Sequence, residues 1–129
     1  MFDWEKLIDL AEEVKNMKST VGDEFIYRSV INRTYYGAFS NARLSLEMKY
    51  RLPTDRTIHG ECITKYKSLS DSRGRVIANL LIGIKKVRDD ADYNESTTTK
   101  DGYAYTIDLC DRLIADARQV CILLKACKI

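Results

Sequence analysis

"GRVIANLLIGIKKVRDDADY", residues 74–93, sets Ile77, Leu80, Leu81, Ile84, Val87 and Ala91 three or four positions apart. Residues at that spacing share one face of an α-helix, which turns once every 3.6 residues. The stretch contains no proline, and charged residues gather towards its C-terminal end. It therefore predicts an amphipathic helix that buries one side.

The same period extends in both directions. Residues 3–18, "DWEKLIDLAEEVKNMK", space Trp4, Leu7, Ala11, Val14 and Met17 helically, with Asp3 as a plausible N-cap. Residues 23–50 run without proline through "EFIYRSVINRTYYGAFSNARLSLEMKY", where Ile26, Val30, Arg33, Gly37, Ser40 and Leu44 form one stripe. Pro53 is expected to stop this long helix, because proline cannot donate a backbone hydrogen bond. A short helix is expected over residues 58–69, followed by a turn at "SDSRGR". "NESTTTKDG", residues 94–102, reads as an exposed connection without core residues. The last helix, about 103–126, aligns Ile107, Cys110, Ile114, Ala117, Cys121 and Leu124. No segment shows sustained strand alternation. Residues 1–129 are thus expected to form one all-α domain, an antiparallel four-helix bundle with an additional short helix.

Bulk properties agree with a packed globular chain. The sequence is 45% hydrophobic and 31% charged, and its 21 basic and 19 acidic residues leave a net charge of +2. No global positive field points to nucleic acid, so any basic surface has to be local. No apolar run of transmembrane length occurs, and the acidic, amphipathic start lacks the pattern of a signal peptide. The cytoplasm is the expected compartment, with no membrane partner. Cys62, Cys110, Cys121 and Cys127 lack the close pairing of a zinc site and are expected to be free thiols, at least Cys110 and Cys121 serving as core residues.

Several residues can carry chemistry. Arg28, Asn32, Tyr35, Tyr36 and Phe39 gather around one region of the second helix, and Arg28 and Arg33 among aromatic rings suit a phosphate and a base. The competing structural reading has buried rings with exposed hydroxyls. Gly37 in mid-helix costs roughly 1 kcal/mol relative to alanine, which implies close packing against another helix.

Arg88 follows Ile84 by four residues and lies on or beside the buried stripe, where a guanidinium needs partners. Asp89, Asp90 and Asp92 cannot all face it, since close neighbours on a helix point in different directions. The reading here lies between a structural ion pair and a phosphate contact. The three aspartates match no calcium loop, so neither a metal nor another cofactor is expected. His59, the sole histidine, is the residue best suited to proton transfer near neutrality, or else a cap or surface group. Cysteine and serine nucleophile signatures and a glycine-rich phosphate loop are absent.

"YRSVINRTYYGAFSNAR" (27–43) and "IANLLIGIKKVRDDADY" (77–93) together resemble HEPN domains, the higher-eukaryote and prokaryote nucleotide-binding group. The resemblance covers about residues 4–124. It implies a helical bundle that forms a homodimer, with a functional cleft where two subunits meet. It also implies a role in toxin–antitoxin or defence systems, either as a metal-independent endoribonuclease or as the partner of a small nucleotidyltransferase. The family's motif arginine falls on Arg88, and its motif histidine falls on Tyr93. A phenol with a reference pKa near 10 is a poor base but a capable hydrogen-bond donor to phosphate. His59 supplies a base only if its helix, or the partner's, reaches Arg88. Three readings follow: RNA or nucleotide binding with phosphate contacts from Arg28, Arg33, Tyr36 and Arg88; a divergent ribonuclease using Arg88 with Tyr93 or His59; and a dimeric module that binds an operon partner.

Overall fold

A computed structural model describes residues 2–129. Five helices account for the architecture: α1 (Glu5–Val14), α2 (Asp23–Glu47), α3 (Ile58–Ser68), α4 (Arg73–Tyr93) and α5 (Ile107–Ala126). The described residues contain no strand, and one isolated bridge joins Thr98 to Ala104. The bundle is all-α, as the helical periodicity predicts. Among the described residues no helix is long and apolar enough to cross a membrane.

α2 runs through the middle and touches the other four helices, while α1 and α4 do not touch each other. Its residues Val30, Ile31, Thr34, Tyr35, Gly37, Ala38, Phe39, Ser40, Ala42 and Leu46 are buried, which is more than one stripe. Helix directions follow from the pairs that meet. Arg28 reaches Ala91 and Asn94, whereas Asn32 reaches Asp92 and Tyr36 packs by Arg88, so α2 and α4 are antiparallel. Tyr27 meets Cys110 and Asn41 meets Cys121, so α5 runs parallel to α2. α1 is antiparallel to α5, with ion pairs from Lys15 to Asp111, Arg118 to Asp9 and Lys125 to Glu5. α1, α2, α4 and α5 thus alternate up and down, and α3 is added beside α2 and α4.

Two glycines permit the closest approaches. A Cβ on Gly37 would lie 2.6 Å from Ile8 Cγ1 and 3.2 Å from the Trp4 carbonyl oxygen, so the missing side chain lets α1 lie directly on α2. A Cβ on Gly74 would collide with the backbone oxygen of Tyr66, and glycine there lets α4 start tight against α3.

Three boundaries differ from the sequence reading. α2 ends at Glu47, well before Pro53, where the Leu46 carbonyl accepts from Lys49 N and Tyr50 N and tightens the final turn. α1 stops at Val14, leaving Met17 exposed. α5 starts at Ile107, with Thr106 Oγ1 accepting from Leu109 N at 3.2 Å as its cap, and Tyr105 is buried in an extended lead-in.

The 94–102 connection is also ordered by specific bonds. Thr99 is buried, Gly102 N donates to Thr99 O, and Thr99 N donates to Tyr103 O. Gly102 takes a φ of 88°, which glycine adopts without strain. The buried Asp90 carboxylate accepts from Lys100 N at 3.0 Å and ties this turn to α4. A connection read as lacking core residues therefore holds one buried anchor, Thr99.

The Gly37 contact makes a quantitative demand. Gly37→Ala should destabilise the fold by up to about 2 kcal/mol, an overpacking cost of about 1–3 kcal/mol partly offset by alanine's better helix propensity of about 1 kcal/mol. Urea denaturation measures the difference, and a net gain in stability would contradict the packing described.

Candidate functional site

The sequence "TYYGAF" on α2 places Tyr35, Tyr36 and Phe39 at one- and four-residue steps, so the rings form a platform facing α3 and α4. His59, in the first turn of α3, lies over it. The imidazole stacks on Phe39 with ring centroids 4.3 Å apart and on Tyr35 at 5.7 Å, and Tyr36 meets it edge-on at 6.2 Å. Its Nδ1 is 2.6 Å from the Tyr35 hydroxyl. Arg88 of α4 closes the other side, its guanidinium carbon 5.1 Å from the centroids of both Tyr35 and Tyr36, within cation–π range.

An open cleft of about 530 Å³ lies over this platform, lined by Tyr36, Arg56, His59, Gly60, Ile63, Lys85, Arg88 and Tyr93. The structure thus brings four of the sequence candidates together: Tyr36, His59, Arg88 and Tyr93. His59 does reach the surroundings of Arg88 within a single chain. Tyr93, the last residue of α4, is 78% exposed at the rim.

Arg88 is 6% exposed and well partnered. Nη1 donates to Asp92 at 3.1 Å, and Nη2 is 3.0 Å from Asp89. Asp92 also accepts from Asn32 Nδ2 at 3.0 Å, so α2 steadies the carboxylate that steadies Arg88. Burial works against the charge on Arg88, and the Asp92 hydrogen bond with the nearby acidic groups more than restores it. Its buried Nε has no hydrogen-bond partner among the described residues. The three aspartates of the motif divide their work: Asp89 pairs with Lys85 and Arg88, Asp92 with Arg88 and Asn32, and Asp90 with the 94–102 connection. No group of metal-ligating side chains converges among the described residues.

Arg28 and Arg33 do not line the cleft. Arg28 reaches across to the C-terminal end of α4, where it donates to the carbonyls of Ala91 at 3.2 Å, Asn94 at 2.6 Å and Ser96, and its guanidinium stacks on Tyr105 at 4.1 Å. Those carbonyls lack intrahelical partners, and a cation suits the negative end of the helix dipole. Arg28 is a clamp on α4, and its guanidinium is engaged by these carbonyls and Tyr105 rather than placed in the cleft lining. Arg33 bonds back to Ser29, one turn away.

Sequence reading missed Arg56 and Lys85. Lys85 stands three residues before Arg88 on α4, a spacing that puts the pair on one helix face, whereas Arg56 lies in the turn that precedes α3. Neither Arg56 nor His59 forms an ion pair among the described residues, whereas Lys85 is held by Asp89 at 2.9 Å. Cys62 lies one turn beyond His59 but is fully buried, and that burial pushes its thiol up to about 11, so no thiolate is available near neutrality. All four cysteines are free.

The chain matches no protein-family model, no curated protein and no solved structure. The functional reading therefore rests on this geometry and on the resemblance of its motifs.

Partial burial, followed by the neighbouring charges of Arg88 and Lys85, pulls the His59 pKa below its ordinary value. The folded chain then takes up this proton at lower pH than the unfolded chain does. Stability from this group is complete above about pH 6.5 and is lost as pH falls through the depressed folded value. The single histidine signal should titrate below about 6.5 by NMR. His59→Gln should remove the part of the stability loss that begins just below that pH. A midpoint above it would refute the described environment.

Proposed function

We propose that the chain binds RNA or a nucleotide through its phosphate groups at the α2–α3–α4 cleft. The supporting observation is the gathering of Arg56, His59, Lys85 and Arg88 around one cleft, with no carboxylate among its lining residues. Tyr36 and Tyr93 offer rings on which a base can stack, an interaction that tolerates any base. Arg88 contributes a permanent charge in a position fixed by Asp92, and Arg56 contributes an unpaired one at the rim. The resemblance to HEPN domains supports a cytoplasmic role in a toxin–antitoxin or defence system. It also favours a homodimer with a shared cleft, and a nucleotidyltransferase as an operon partner.

A second reading is a metal-independent endoribonuclease, favoured by the presence of His59 in the same cleft as Arg88. In that reaction Arg88 would stabilise charge on the phosphorane, and His59 or Tyr93 would handle protons.

Fluorescence anisotropy with labelled single-stranded RNA tests binding. Arg56→Ala, a surface change that leaves the fold intact, and Arg88→Ala should each weaken binding by about tenfold, and affinity should fall steeply with salt. Asp89→Asn, which releases Arg88 and Lys85 from a competing carboxylate, should strengthen it. Binding that ignores salt and all three substitutions would refute the reading.

Incubation with RNA in EDTA tests the second reading: cleavage should occur and should vanish in His59→Ala and Arg88→Ala. An uncut panel of RNAs excludes it. Light scattering tests dimerisation, and copurification tests the partner.

A further inference from the structure

Tyr35 is fully buried and cannot touch a ligand in the cleft, yet its hydroxyl has one hydrogen-bond partner among the described residues, His59 Nδ1 at 2.6 Å. Two arrangements satisfy that distance. If Nδ1 carried the proton and donated it, the phenolic hydrogen would be buried without an acceptor, at a cost of about 1–3 kcal/mol. If the phenol donates, only a spare lone pair on its oxygen goes unused. The second arrangement is therefore favoured, and it places the proton of the neutral ring on Nε2.

Nε2 bonds to nothing within the described residues and is not among the buried atoms lacking a partner, so it remains open to solvent where His59 lines the cleft. The ring cannot turn away, because Phe39 and Tyr35 stack against it. The cationic groups of the lining, Arg56, Lys85 and Arg88, are donors only, and Tyr36 and Tyr93 add hydroxyls that can donate as well as accept.

We propose that Tyr35 is a positioning residue: its hydroxyl holds His59 as the Nε2–H tautomer, so the ring enters the cleft as a donor and the site selects a proton-free phosphate oxygen. This rests on the proposed phosphate binding and sharpens it. In this state the ring has no lone pair facing the cleft, so it binds an oxyanion and does not act as a base. The lock thus separates the binding reading from the nuclease reading at the level of one proton.

The test has two independent arms. In the first, two-bond proton–nitrogen NMR correlations of the uniformly labelled chain are recorded above the titration midpoint of its only histidine. A protonated Nε2 and an unprotonated Nδ1 are expected. A proton on Nδ1 overturns the proposal, whatever the chain binds.

In the second arm, inorganic phosphate is titrated into wild type, Tyr35→Phe, His59→Ala and the double variant. Tyr35→Phe keeps the stacked ring and should weaken phosphate by about threefold to tenfold, roughly one hydrogen bond's worth. It should add nothing in the His59→Ala background. An equal loss in both backgrounds marks a general packing effect and overturns the positioning role. No phosphate binding by the wild type overturns the anion seat and the functional reading together, while the ring spectrum still decides the tautomer.

Discussion

A helix surrounded on nearly every side has no solvated face on which to leave polar groups unattended. α2 is in that position, and the rest of the fold can be read as a response to it. Gly37 yields space to α1, the small buried residues Ala38 and Ala42 let neighbours come close, and Tyr66 Oη donates to the Ala42 carbonyl at 2.6 Å from α3. The aromatic group Tyr35, Tyr36 and Phe39 needs cover that is apolar over the ring faces and polar at the hydroxyls. His59 and Arg88 are planar and polar at their edges, and they meet both needs. The cleft is thus a by-product of sealing the central helix with amphipathic side chains.

In the proposed phosphate-binding reading, Arg88 serves both stability and recognition. A buried guanidinium without partners would be strongly destabilising, and Asp89 and Asp92 supply them. Those partners also set the terms for a ligand. Asp92 is fixed by Asn32 and belongs to the scaffold, whereas Asp89 is shared with Lys85 on the more exposed side and is the carboxylate a phosphate would displace. A site built this way discriminates through competition as well as attraction, since a weak anion cannot outbid a tethered one.

Helical periodicity made the bundle legible because burying a stripe is a property of each segment alone. Ile77, Leu81, Ile84 and Val87 are buried as their spacing demands, and so are Cys110, Ile114, Ala117 and Cys121. Ends and connections were harder to read because they depend on residues far away in sequence. The 94–102 segment looks polar in isolation, yet Asp90 and Arg28 anchor it from α4 and α2. For the same reason Arg28 looked like a ligand-binding cation: its acceptors are carbonyls, which no side-chain pattern reveals. The site was half visible. Arg88, Tyr36 and His59 stood out by residue type and Tyr93 through the family resemblance, whereas their meeting in one cleft, with Arg56 and Lys85 beside them and Tyr35 beneath His59, arises from how α3 packs against α2 and α4.

The Arg28 clamp separates two properties of the cleft that often change together. Guanidinium does not lose its charge at any pH a protein survives, so the geometry of the α4 terminus, and with it the placement of Arg88 and Tyr93, is held by a contact that acidity does not release. The imidazole on the facing wall does titrate. Mild acidification therefore changes the charge on the His59 side of the cleft while the Arg28 contact at the end of α4 persists.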